Sequence, residues 1–414
     1  MKQQVIANID LFVTELFKFG LVTRYTRTYR KFLTEMIIGI LGSKSTLISN
    51  IARFLKEDVA LIYTEKRLCS MLGNKLWPRE ELRLGALDMA AGKVYRDDVI
   101  AFDPGDVTKK YARTMDYLYP VHDGSTGKLR LGWEDFGVEA IHWKNGRKTH
   151  TPLYEKLINA SCPDYVSQNH QIITAIQSVY EQLGEWNGVW AFDRLHDRTI
   201  LFKSLLSLKI FWIVRMKFNR GLRFVDGEAK VKIEDLVGLL PLSKESWWLL
   251  FPKRSSELHV AWRRVRFPFN NAVVTLVIVH DTRNEKPVVF LTSLKVTDDL
   301  SAIGAFGYYL ERWGKEEGYR FSKSFLNLED LRPQSWIAIQ NLAFLVHLVY
   351  LFISWCHRQH GDELEKLSEE RLKNFRPIKT VHFRYYRIAQ MIRVLLAEEL
   401  GHDAATMLAM TEVG

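Results

Sequence analysis

The sequence predicts an α/β fold: a mixed sheet with helices on both faces, an all-α N-terminal domain, a β-rich insertion and a helical C-terminal tail. Three observations predict it. Up to about residue 94, apolar residues recur at helical spacing with no strand pattern. Two short apolar runs, Val99-Ile100-Ala101-Phe102-Asp103 and Gly188-Val189-Trp190-Ala191-Phe192-Asp193, each finish on an aspartate. Between about Asp97 and Lys217, strand and helix periodicities alternate.

In residues 1–94, Ile6, Leu11, Phe12, Leu16 and Phe17 mark one helix, and Leu47, Ile48, Ile51, Phe54 and Leu55 mark another. Ser45, just after the Gly42-Ser43 break, is the expected N-cap of the second. This region is basic, and Arg24-Tyr25-Thr26-Arg27-Thr28-Tyr29-Arg30-Lys31 interleaves cations with aromatics, either as a phosphate-contacting surface or as an exposed basic loop. At residue 99 the first buried strand begins; it is expected to end at Asp103, before the turn signal Pro104-Gly105. Trp133 to Trp143 and Thr149 to Leu153 flank Asn145-Gly146, a hairpin turn. A helix from about Tyr165 to Leu183, the strand ending at Asp193, a helix from Thr199 to Leu208 and a strand from Phe211 to Lys217 follow.

This order of three strands, helix, strand, helix, strand matches a ribonuclease-H-like core over 95–217, completed by 300–358. Residues 218–299 form the β-rich insertion, with strands His259–Phe267, Ala272–Val279 and Pro287–Leu294 and with Arg263-Arg264-Val265-Arg266 among Trp247, Trp248 and Trp262. Those tryptophans either build a core or stack on a displaced base, Trp262 being the candidate. Trp336 to Cys356 is apolar enough to mimic a membrane span but carries Gln340, Asn341 and His347, so a buried core helix is expected. Residues 359–414 are helical and able to pack on the core or to contact a second subunit.

The chain has 414 residues and a formal net charge of +10, which points to a polyanion such as nucleic acid; membrane-surface binding is the competing reading, with no concentrated polybasic segment or lipidation motif to support it. Its three cysteines, Cys69, Cys162 and Cys356, are far apart; a disulfide framework or cysteine-rich zinc module is excluded and a reducing cytoplasm expected. Cys356, His357 and His360 read as structural. Gly124-Ser125-Thr126-Gly127 lacks the P-loop Lys-Ser pair, and His196-Asp197 near Ser204 lacks a nucleophile elbow.

Tyr309, Arg312, Glu316 and Lys323 are spaced three, four and seven residues apart, which on one helix sets them within an arc of roughly 60°. Such a stripe is either a solvated face with ion pairs or a carboxylate flanked by groups that grip phosphate. With Asp103 and Asp193 it supplies three acids from three elements. Like charges at one locus need cations, and Mg²⁺ held by carboxylates is the common solution.

These residues carry a resemblance. The Tyr309/Arg312/Glu316/Lys323 set is similar to the Y-x2-R-x3-E-x6-K signature of DDE transposases from bacterial cut-and-paste insertion sequences. Asp103-Pro104-Gly105-Asp106-Val107-Thr108-Lys109 resembles the first-acid motif of that family, with Gly105-Asp106 departing from the usual pattern. Asp193-Arg194-Leu195-His196-Asp197 resembles its D-R-x-x-D motif. The resemblance spans roughly residues 40 to 355, as order and spacing. It implies catalytic, metal-binding Asp103, Asp193 and Glu316 holding two Mg²⁺ ions (Mn²⁺ as substitute). It also implies DNA contacts from Tyr309, Arg312, Lys323, Arg194, Arg215 and Lys109. The activity implied is cleavage at terminal inverted repeats and joining of 3′ ends to target DNA by a homodimer, in the bacterial cytoplasm and without a membrane. The alternatives are a catalytically silent DNA-binding relative and a ribonuclease-H-like nuclease that cuts without joining.

Overall fold

A computed structural model of the protein describes residues 4–24, 26–144, 147–251, 254–372 and 383–403. The N-terminal part is helical: α1 (Val5–Phe19), α2 (Thr26–Ser43), α3 (Ile48–Leu55), α4 (Leu61–Leu72) and α5 (Arg79–Ala91). On α1 the buried residues Val5, Ile9, Phe12, Val13, Leu16 and Phe17 follow the 3.6-residue period, while Leu11 points outward. The expected cap at Ser45 is corrected: Leu47 is the N-cap of α3, and the Ser45 hydroxyl accepts from the Leu47 amide at 3.1 Å, two residues early. The basic cluster after Arg24 lies mostly on the first turns of α2, where Tyr29 is buried with its hydroxyl on the Leu76 carbonyl; Tyr25 lies outside the described residues.

The rest is mixed α/β. The strands are β1 (Val99–Thr108), β2 (Tyr119–Asp123), β3 (Lys128–Lys144), β4 (Arg147–Ile158), β5 (Val189–Phe192), β6 (Phe211–Arg215), β7 (Gly221–Phe224), β8 (Lys230–Lys232), β9 (Trp247–Phe251), β10 (Arg254–Arg266), β11 (Val273–Asp281) and β12 (Val288–Thr292). They join one sheet in the order β2-β3-β1-β5-β6-β12-β11-β10-β7-β8, with β4 on β3 and β9 on β10. β3 runs antiparallel to β1 and β4, whereas β1, β5 and β6 are parallel. Helices α6 (Gln168–Leu183) and α7 (Thr199–Ser207) make the crossovers between the parallel strands. The β3–β4 register closes at Lys144↔Arg147, so the hairpin is tight; Asn145-Gly146 itself lies outside the described residues.

Two expectations about the strands change. β1 does not stop at the Pro104-Gly105 signal but runs to Thr108, paired with β3 throughout, while its pairing with β5 ends at Ala101. Beyond that point β1 is an edge, where proline is tolerated. Gly105 admits the Tyr319 ring, which a Cβ would meet at 2.4 Å, and its amide donates to the Tyr319 hydroxyl at 2.8 Å. The insertion is not a separate layer: β12, antiparallel to β6, extends the core sheet, and β11 and β10 follow it. β2, unforeseen in the sequence, is a short edge strand containing Pro120.

The sheet leads through β12 into α9 (Asp299–Glu311) and α10 (Trp313–Ser324). Asp298 and Ser301 form a capping box at the start of α9. α11 (Trp336–Arg371) is the predicted apolar helix and is mostly buried inside the protein. It breaks at His360, where φ is −133° and ψ 18°. The tail helix α12 (Tyr385–Glu399) packs on α11, α2 and α1. Beneath α10 lies buried Glu139, hydrogen-bonded to His150 Nδ1 at 2.6 Å and to the Tyr350 hydroxyl at 2.9 Å.

A Cβ on Gly318 would come within 2.3 Å of Glu139 Oε2, so Gly318→Ala is expected to cost about 1–3 kcal/mol. At Gly307 of α9 a Cβ meets open space, and Gly307→Ala is expected to add about 0.5–1 kcal/mol. Urea denaturation of both variants checks this close approach of α10 to β3.

Candidate active site

The β1–β5 pairing ends at Ala101↔Ala191, and two residues beyond it on each chain stand Asp103 and Asp193, near enough for the Asp193 charge to act on Asp103. In the same way Phe192↔Val214 sets Arg215 beside Asp193. Carboxyl ends of parallel strands are where α/β sheets build sites. Glu316 reaches this edge from the first turn of α10.

Two of the three acids share one cation, whose charge also acts on Asp193. Arg312 Nη1 lies 2.7 Å from Asp103 Oδ2, and Nη2 3.1 Å from Glu316 Oε1. Its side chain is only 6% exposed, its ring neighbours are Tyr309 and Trp313, and its Nε is buried without a hydrogen-bond partner. The three carboxylates do not close on one another: among the described residues, the grouping of acids and histidines whose ligand atoms all lie within 4.8 Å is a different one, Asp97, Asp98 and His142. The guanidinium stands between Asp103 and Glu316.

Burial pushes the Asp103 carboxyl above its usual value; Arg312 and His196 oppose this, and Asp193 and Glu316 add to it. At Asp193 burial also pushes upward, but the hydrogen bond from His196, the His196 and Arg312 charges and the Leu195 amide win and hold it below the usual value. Asp193 caps the 3₁₀ turn Arg194–His196: its Oδ1 accepts from Leu195 N at 2.9 Å and is 2.5 Å from His196 Nδ1. His196 is buried against Phe102 and Phe192. Sequence reasoning assigned His196 no part; its one signal was its position three residues after the acid, on a capped turn. Asp197 accepts from the Lys217 amide at 2.8 Å and from Arg220, bracing the loop after β6.

The other predicted site residues divide. The single-helix stripe is corrected, because the helix breaks at Arg312, where α9 ends and α10 begins with shortened turns. Tyr309 is buried in the apolar cluster under α9, its ring 4.6 Å from Phe290. Lys323 pairs with Asp106 at 2.9 Å and Glu329 at 3.1 Å instead of the three acids. Lys109 is buried on the Glu329 carbonyl, and burial lowers it to about 8 despite Asp330 and Glu329 nearby. Trp262, half-buried, donates from Nε1 to Asp299 at 3.1 Å and packs against the α9 cluster; the Trp248 side chain lies outside the described residues. Arg194 is exposed beside Asp193, and Arg215 is half-buried at the end of β6. Of the two candidate first acids, Asp103 belongs to the cluster, and Asp106 belongs to Lys323 and the Gly124 amide.

The chain matches no protein-family model and no curated protein.

Arg312→Gln leaves Asp103 and Glu316 facing each other without a cation, and is expected to cost about 3 kcal/mol at neutral pH. The variant raises the folded-state value of Asp103 further, so its stability falls as pH rises through that value. Below the unfolded carboxylate value both states are protonated and the deficit shrinks. Urea unfolding of parent and variant from pH 3 to pH 8 measures it.

Proposed function

We propose that the protein is a metal-dependent DNA transposase of the insertion-sequence DDE type, built on a ribonuclease-H-like core. The observation that carries the reading is a neighbourhood of three acids from two parallel strands and a helix: Asp103 and Glu316 share Arg312, and Asp193 lies close enough for its charge to act on both Asp103 and Arg312. The strand order β4-β3-β1-β5-β6, antiparallel in its first half and parallel in its second, supports the core assignment.

The donor set fits hard divalent cations. It offers three carboxylates against one guanidinium, and the excess negative charge at a buried locus calls for more cation than Arg312 supplies. Asp103, Asp193 and Glu316 would hold the ions. Bound Mg²⁺ supplies the charge that activates a water or 3′-hydroxyl and stabilises the leaving oxygen in phosphoryl transfer. His196 keeps Asp193 ionised and aimed at the strand end. Were metal to neutralise Asp103 and Glu316, the guanidinium fork of Arg312 would be suited to a DNA phosphate. Arg194 and Arg215 flank Asp193 and offer further phosphate contacts, and the +10 net charge suits a DNA partner.

Asp103→Asn, Asp193→Asn and Glu316→Gln are each expected to lower Mg²⁺-dependent strand cleavage on the order of 10³-fold while leaving end binding intact. The substrate is duplex DNA carrying the inverted repeats that flank the coding region. Cleavage by any of the three variants at the parental rate contradicts the reading. End-specific binding without cleavage under any divalent cation indicates the silent relative, and cleavage without 3′-end joining indicates a nuclease.

A further inference from the structure

A second cluster lies at the other end of β1. Asp98, immediately before the strand, is 1% exposed, and its two oxygens are both engaged: Oδ2 accepts the Tyr95 amide at 2.9 Å, and Oδ1 lies 2.5 Å from His142 Nδ1 on β3. Asp97 stands beside them, exposed, and one ligand atom from each of Asp97, Asp98 and His142 lies within 4.8 Å of the others. Asp98 and Asp103 are five residues apart on extended chain, about 16 Å, so this cluster is separate from the acids around Arg312.

His142 lines a cleft of about 940 Å³ whose opposite wall is the broken part of α11, with His357 and His360. His357 is 7% exposed, and its Nδ1 is buried with no hydrogen-bond partner. A Cβ on Gly361 would meet its ring at 2.8 Å, so the chain after the break presses on this imidazole. Arg358, the cation nearest the wall, is turned to Thr151 at 2.5 Å and the Lys93 carbonyl at 3.1 Å. The other ring nitrogen, Nε2, lies 3.9 Å from Glu365 Oε1, so one nitrogen of this imidazole is left unpartnered beside a cleft that also holds the carboxylate–imidazole pair of Asp98 and His142.

We propose that Asp97, Asp98 and His142 bind one divalent cation of the class that accepts imidazole, Zn²⁺ or a neighbouring first-row ion, with a further coordination position open to the cleft where His357 stands. One nitrogen and two oxygen donors suit such an ion better than Mg²⁺, which takes oxygen. The ion takes the place of the proton shared by Asp98 Oδ1 and His142 Nδ1. The imidazole then carries its hydrogen on Nε2, which leaves Nδ1 a lone pair for the ion, and the two atoms separate from 2.5 Å to about 3.3 Å, the ligand–ligand spacing of a tetrahedral site. Bound there, it ties the start of β1 to the end of β3 beside the break in α11.

The test is calorimetric titration of the full chain with Zn²⁺ in excess Mg²⁺, paired with thermal unfolding. One Zn²⁺ per chain and a raised Tm are expected, with both undiminished in Glu316→Gln and Asp193→Asn. Asp97→Asn and His142→Gln are expected to weaken binding at least tenfold and to remove the Tm shift. Because His142→Gln also breaks the buried Asp98 pair, Asp97→Asn, at an exposed position, decides the matter if the histidine variant fails to fold. No Zn²⁺ uptake by the parent, unchanged uptake by Asp97→Asn, or uptake lost with Glu316 overturns the proposal.

Discussion

The parallel register between β1 and β5 is the constraint on which the candidate site depends. With Ala101 opposite Ala191, residues 103 and 193 become neighbours, and both are aspartates. One step further across the sheet, the β5–β6 register brings Arg215 to the same edge. A slip of one residue in either pairing would turn an acid to the opposite face of the sheet. The register is held by buried strands: Val99, Ile100 and Ala101 pair with Val189, Trp190 and Ala191, all removed from solvent. Hydrophobic burial thereby sets the distance between two like charges that would otherwise move apart.

The third acid arrives by a longer route. β12 adds to β6, and the chain then enters α9, whose start is secured by the Asp298–Ser301 capping box and by Trp262 on Asp299. Tyr309 and Phe306 seat α9 on Phe290 of β12. The helix then breaks at Arg312, and the guanidinium reaches Asp103 and Glu316 together. Removing such a cation from between two partly buried carboxylates leaves charge that water cannot fully screen. The insertion thus carries the Glu316 helix to the strand ends of the core.

Much of this was legible in the chain. Asp103 and Asp193 each follow an apolar run short enough to be a buried strand, and an acid in that position is conspicuous. Glu316 was found from spacing relative to Arg312, and the apolar stretch of α11 from composition. Other roles depend on neighbours that no local pattern names. Lys323 meets Asp106 and Glu329, Lys109 meets a carbonyl, and Tyr309 meets Phe290, all brought close by tertiary packing. Pro104-Gly105 resembled a turn because the local signal does not reveal that one side of β1 is an edge and that Tyr319 needs the space at Gly105. Ser45 looked like a cap for the same reason: helix α3 begins two residues later than its nearest capping residue.

The central claim is that the acids around Arg312 form a metal-binding, DNA-cleaving site. Anomalous diffraction from crystals of the protein with its DNA ends and Mn²⁺ tests it most directly. Manganese is expected between Asp103, Asp193 and Glu316, with the Arg312 side chain drawn away from Asp103 towards a phosphate. DNA-bound crystals in which no manganese lies among these acids and Arg312 still bridges Asp103 and Glu316 would contradict it.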